Sequence, residues 1–189
     1  MILAPGNNTS ILGGVYIMNL QQLFKVHEAM ENHIKAVSNL DEDMLGRENL
    51  FDLRFLALQV KIGELANLTK CYKYARIKDN LPKEKLMARY IDAMKFLLSI
   101  GNINEFNIIN FDSIKGTEDD SSIIKVFSNI FEYISEVRDL SHRGIYIDSL
   151  NAYMKLFAEF IKLAGHLGLT MEEVCDKYQS MVCEITQSC

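Results

Sequence analysis

Two pairs of charged residues sit at helical spacing in otherwise apolar surroundings, and they are the first candidates for chemistry. In LALQVKIGELANLTKCYKYA, Lys61 and Glu64 stand at i and i+3; in RYIDAMKFLLSIG, Arg89 and Asp92 repeat that spacing. Residues three apart share one face of a helix, and antiparallel bundle helices can bring two such faces together. Carboxylates placed this way build divalent-cation sites, because a hard cation takes oxygen donors. A carboxylate in such a place can also act as a general base on water, so Glu64 is the candidate base and Glu64 with Asp92 the candidate metal ligands. Each acid has a base three residues before it, however, and Lys61 with Glu64, or Arg89 with Asp92, can equally form an ion pair.

These residues need helices to hold them, and hydrophobic spacing supplies the expectation. Apolar residues at i, i+3, i+4 and i+7 open a first helix near Asn19, with Leu20, Leu23, Phe24, Met30, Ile34 and Val37 on its inner face. A second helix runs from about Asn49 to Tyr72 and is apolar on most sides, which predicts a central buried helix. Pro82 fits the first turn of a third, and Gly101 reads as its C-terminal cap. An irregular stretch follows, and Asp120 or Ser121 is expected to cap a fourth helix. The SHRG turn leads to a fifth. Thr170 to Glu173 reads as a capping box opening the last. No β pattern of any strength appears. Residues 1–17, with Pro5, three glycines and NNTS, read as a flexible N-terminal extension; residues 18–189 read as a single domain. The fold class predicted is all-α, an antiparallel bundle of five to six helices.

Composition narrows the partners. The 189 residues carry a net charge of −5, which argues against a general nucleic-acid binder. A small phosphorylated ligand needs only a few local cations. The four cysteines form no CxxC pair and no metal spacing, and reduced thiols are the expectation. No secretory signal and no membrane-spanning run is seen, so a cytoplasmic protein without a membrane partner is expected.

The two helical segments resemble the dimeric dUTPase family, a branch of the all-α nucleoside triphosphate pyrophosphohydrolases. MNLQQLF from Met18 is similar to that family's beginning, and KLFAEFIKLAGHLGLTMEEV to its late helices. The resemblance implies a homodimer that binds dUTP through Mg²⁺ held by four carboxylates, E-x-x-E on one helix and E-x-x-D on the next. Water then attacks between the α- and β-phosphates, giving dUMP and pyrophosphate. Carried onto this chain, the resemblance makes Glu64 and Asp92 the remaining metal positions. Lys73 stands at a family Lys and Lys70 at a family Arg, implying phosphate binding. His27 stands where the family has a Gln near the uracil, implying base binding, although a buried core or interface histidine also fits its apolar surroundings.

The departures fall on the chemistry. Lys61 and Arg89 replace the first Glu of each motif, Leu68 replaces a further Glu, and Ala75 stands at an aromatic position. YQSMVCEITQSC keeps almost none of the Lys, Asn, Arg and Gln of the family's closing segment. Four carboxylates need a cation to be tolerable together; two acids and two bases neutralise one another. The expectation is therefore a dUTPase-family protein with a half-replaced metal site, inactive or weakly active, still able to take a nucleotide such as dUTP or dUMP. Mg²⁺ is its cofactor if the chemistry survives, and there is none otherwise. Two alternatives stand beside it: an active dUTP/NTP pyrophosphohydrolase with altered metal or substrate use, and a helical scaffold with a regulatory interaction role.

Overall fold

The computed structural model describes residues 11–12, 15–16, 19–38, 46–73, 81–114 and 121–186. Six helices account for most of them: α1 Leu20–Ser38, α2 Arg47–Thr69, α3 Lys83–Ile103, α4 Ile123–His142, α5 Tyr146–His166 and α6 Met171–Thr186. The chain is all-α, as expected, with one small addition. Ile11–Leu12 (β1) pairs antiparallel with Val15–Tyr16 (β2), in register Ile11↔Tyr16 and Leu12↔Val15. Gly13-Gly14 separates the two in sequence, and Gly-Gly between apolar pairs is a hairpin signal that the reading of this stretch as plain loop passed over. The rest of the expected extension lies outside the described residues, as do Ala75 and Glu118–Asp120.

α3 is the hub of the bundle and packs against α1, α2, α5 and α6. It buries Leu86, Tyr90, Ile91, Met94, Leu97, Leu98 and Ile100 on several sides. Burying each large side chain is worth roughly 1.5–3 kcal/mol, so α3 carries much of the core. The expectation had given the central place to α2. That helix buries Phe55, Leu58, Ile62 and Leu65 along one face, but leaves Leu53, Leu56 and Val60 exposed on another. Ile34 and Val37, expected in the core, are also exposed at the end of α1.

Gly101 lies inside α3 and does not cap it. A Cβ at this position would collide with the Tyr153 hydroxyl and stand 2.6 Å from Phe24 Cε1. The glycine is there because α1 and α5 close onto α3 at this point. Tyr153 donates its hydroxyl to the Leu97 carbonyl at 2.8 Å, locking the approach.

The helix starts follow capping chemistry. Asn19 and Gln22 exchange two backbone bonds, Gln22 N–H to Asn19 Oδ1 at 2.7 Å and Asn19 N–H to Gln22 Oε1 at 3.0 Å. The Thr170/Glu173 box forms as expected, at 3.1 and 3.2 Å. Glu173 also reaches Lys83 at 2.6 Å, tying the starts of α6 and α3 together. The cap of α4 is Ser122, one residue beyond the expected pair, and it accepts from Lys125 N–H. Between α3 and α4, Phe106, Ile109 and Ile114 anchor the irregular connection in the core. Cys71 and Cys175 are free thiols. Cys183 is disulfide-bonded, which departs from the expectation of reduced thiols throughout. No helix among the described residues is long and apolar enough to cross a membrane.

Candidate functional site: an ion-pair chain beside a cationic cleft

α2 and α3 run antiparallel, as two cross-links show. Near the start of α2, Arg54 Nε donates to Ser99 Oγ near the end of α3 at 2.9 Å. Near the end of α2, Glu64 meets Arg89 near the start of α3. The i, i+3 pairs on each helix therefore face one another. Lys61 Nζ donates to both Glu64 oxygens at 3.2 Å. Arg89 Nη1 lies 3.4 Å from Glu64 Oε2 and 3.5 Å from Asp92 Oδ2, bridging the two helices. Lys95 Nζ donates to Asp92 Oδ1 at 3.3 Å. The result is one continuous alternation: Lys61, Glu64, Arg89, Asp92, Lys95. Sequence reasoning found four of its members and missed Lys95, although Lys95 stands i+3 from Asp92 and could have been read the same way.

The side chains are between 25% and 44% exposed, so water screens each pair. A single pair of this kind contributes about 0–1 kcal/mol. The electrostatic consequence matters more than the stability. Both carboxylates are satisfied by cations covalently part of the chain. Among the described residues no group of three or more His, Cys, Asp or Glu could hold a metal ion. As arranged here the donor set does not fit Mg²⁺, because each of its two carboxylates is already paired with two cations that a metal would have to displace.

A cleft of about 590 Å³ opens beside this chain, lined by Glu64, Asn67, Leu68, Lys70, Leu81, Lys85 and Arg89. Its volume suits a small-molecule ligand. Lys70 reaches it from a left-handed backbone position, φ 52°, that ends α2 with its N–H on the Ala66 carbonyl. Lys73 is exposed and does not line the cleft. Lys85, Asn67 and Leu81 were not singled out in the sequence. They carry no motif, and only the antiparallel docking of α2 on α3 places them opposite Glu64.

His27 lies elsewhere. It is 1% exposed, and its Nδ1 is 2.6 Å from the Tyr178 hydroxyl of α6. Its Nε2 stands 3.5 Å from Glu31 Oε1, at ion-pair range. Ser99 Oγ donates to the same Glu31 oxygen at 2.6 Å and receives Arg54 from behind. Four helices thus meet in a polar network, and His27 does not line the cleft. Burial alone would raise the Glu31 pKa; the neighbouring His27 imidazole, the Ser99 hydroxyl and the Arg54 charge outweigh it and bring it from 4.5 to about 2. A folded pKa below the unfolded one adds stability that is complete above pH 4.5 and lost as pH falls toward 2. Glu31→Gln is expected to flatten that acid limb in a melting profile against pH. An acid limb identical to that of the unaltered protein would count against the network.

The comparisons with known proteins agree with this architecture. A family model described as dUTPase matches residues 19–182, from the cap of α1 into α6. No curated protein and no solved structure matches. The matched span includes both facing helices and all the helices packed on them, and the chain belongs to the dimeric dUTPase family.

Proposed function

We propose that this chain is a dUTPase-family protein whose metal-dependent hydrolysis has given way to a self-neutralised helix pair. It is inactive or nearly so toward dUTP, and it keeps a nucleotide-sized cleft in a homodimeric scaffold. The observation that carries the reading is the unbroken charge alternation from Lys61 to Lys95. In the family's reaction Mg²⁺ polarises phosphoryl oxygens and activates water. Here Lys61 and Arg89 stand at two of the four positions that would hold it, and each turns a remaining carboxylate toward itself. Glu64 is the one residue of the cluster able to act as a base in the cleft, and Lys61 occupies both its oxygens. A water there would have neither a metal to acidify it nor a free carboxylate to take its proton.

A homodimer is part of this reading, and both family membership and α2 support it. Leu53, Leu56 and Val60 fall at i, i+3 and i+7 and remain exposed in the single chain. A second copy of the chain would remove this stripe from water.

The deciding experiment is calorimetric titration of the full chain with Mg²⁺ and with Mn²⁺, beside an assay of pyrophosphate release from dUTP. No heat of metal binding and no release above buffer is expected. Tight metal binding with turnover would overturn the reading.

A further inference from the structure

The cleft is unusual in its charge. Among the described residues three cations line it, Lys70, Lys85 and Arg89, against the one carboxylate of Glu64. Asn67 adds an amide, and Leu68 and Leu81 supply an apolar wall. Lys85 and Arg89 are one turn apart on α3, so they share a face. Lys85 stands in the first turn, where the helix end also favours an anion.

Arg89 is loosely held. Its ion pairs are long, 3.4 Å to Glu64 and 3.5 Å to Asp92 from Nη1, and it makes no hydrogen bond to protein among the described residues. Its planar guanidinium can offer a two-point contact of the kind phosphate accepts. Lys85 makes no ion pair among the described residues and is exposed at the cleft. The alternation also permits exchange. If Arg89 turns to a ligand, Glu64 keeps Lys61 and Asp92 keeps Lys95, so no carboxylate is stranded.

We infer that this cleft binds the phosphate groups of an anionic ligand directly, without a bridging divalent cation, and that Lys85 and Arg89 are the contacting cations. The inference rests on reading Lys61 and Arg89 as standing in the place of a metal, and it adds a consequence opposite in sign to metal-bridged binding. Mg²⁺ chelates free polyphosphate and reduces its charge. The carboxylate it would use in the cleft, Glu64, is already paired with Lys61 and Arg89. Divalent cation therefore weakens binding here, where a bridging metal would strengthen it.

The test is calorimetry of the full chain with inorganic diphosphate and with a non-hydrolysable dUTP analogue, each in EDTA and in excess Mg²⁺. Both ligands are expected to bind in EDTA and several-fold more weakly in Mg²⁺. Lys85→Gln and Arg89→Gln should each weaken binding about tenfold, the usual scale for one charge-assisted hydrogen bond. Lys177→Gln, on the exposed face of α6, should leave it unchanged. Tighter binding of the analogue than of diphosphate would place a nucleoside against Leu68 and Leu81; equal binding would make polyphosphate alone the ligand. Both agree with direct phosphate contact. Absence of binding in EDTA, or binding only with Mg²⁺, would overturn it. Lys85 is exposed, so its variant is not expected to unfold, and a melting curve of each variant guards against misreading. Titration with Mg²⁺ alone separates the two proposals. Tight Mg²⁺ binding defeats the reading of the cluster; silence to Mg²⁺ together with silence to diphosphate in EDTA defeats only the anion site.

Discussion

Replacing Lys61 and Arg89 together by Glu is expected to turn the protein into a divalent-cation binder. Each change converts a cation to an anion on one of the two facing helices. In the unaltered chain Glu64 is held by Lys61 and Arg89, and Asp92 by Arg89 and Lys95. In the K61E/R89E variant four carboxylates would face each other, with Lys95 still paired to Asp92. Without metal this should lower the melting temperature, because like charges a few ångströms apart repel and their partners are gone. With Mg²⁺ or Mn²⁺ at about a hundredfold excess over its dissociation constant, linkage restores about 2.7 kcal/mol. For a domain of this size that is roughly 5–10 °C. Differential scanning calorimetry in EDTA and in metal measures both limbs. A variant whose melting temperature ignores metal would show that these helix faces cannot close around a cation, whatever residues they carry. Turnover is a separate matter, because Leu68 and the C-terminal helix differ from the family pattern as well.

The second large effect concerns the fold. Gly101→Ala is expected to cost about 1–3 kcal/mol, the range for forcing an added carbon into a packed core. The new Cβ would meet Tyr153 and Phe24, each pinned by other contacts: Tyr153 by its bond to Leu97, Phe24 by packing against Phe157. Neither can withdraw without opening α1 or α5 from α3. Gly63→Ala, by contrast, adds a carbon within a helix where nothing lies within 4 Å. It should stabilise by about 0.5–1 kcal/mol through helix propensity. Urea unfolding of both variants gives the comparison. Equal shifts in the same direction would contradict the packing role assigned to Gly101.

That contrast also shows where sequence reasoning stops. Gly101 was read as a cap because a glycine after a helical pattern usually ends it. A glycine that admits a neighbouring helix looks the same in one dimension. The caps with a reciprocal partner, as at Thr170 and Glu173, were legible because the signal is local. Ser122 was not, because several capping residues stand side by side before α4 and only the incoming chain direction selects one. The alternation on α2 and α3 was legible in part, since i, i+3 spacing is local and the expectation of antiparallel neighbours supplied the rest. The cleft was not, because Asn67, Leu81 and Lys85 acquire their relation only when the helices dock. The place of α2 was misread for the same reason: an all-round apolar helix can be central in one chain or lie at the edge with a face left over.

The aromatic interior has a consequence for the protein's alkaline behaviour. Tryptophan is absent, and Tyr90, Tyr153 and Tyr178 are fully buried among the eight tyrosines. Tyr90 and Tyr153 spend their hydroxyls on the carbonyls of Phe160 and Leu97, and Tyr178 on His27, each across a helix–helix contact. Burial pushes all three phenols well above the ordinary tyrosine range. Their phenolate absorbance is therefore gated by the architecture. The three interior rings can ionise only after α3 parts from α5, for Tyr90 and Tyr153, or α6 parts from α1, for Tyr178. The bundle thus contains an intrinsic chromophore for its own opening, built from the bonds that hold it shut.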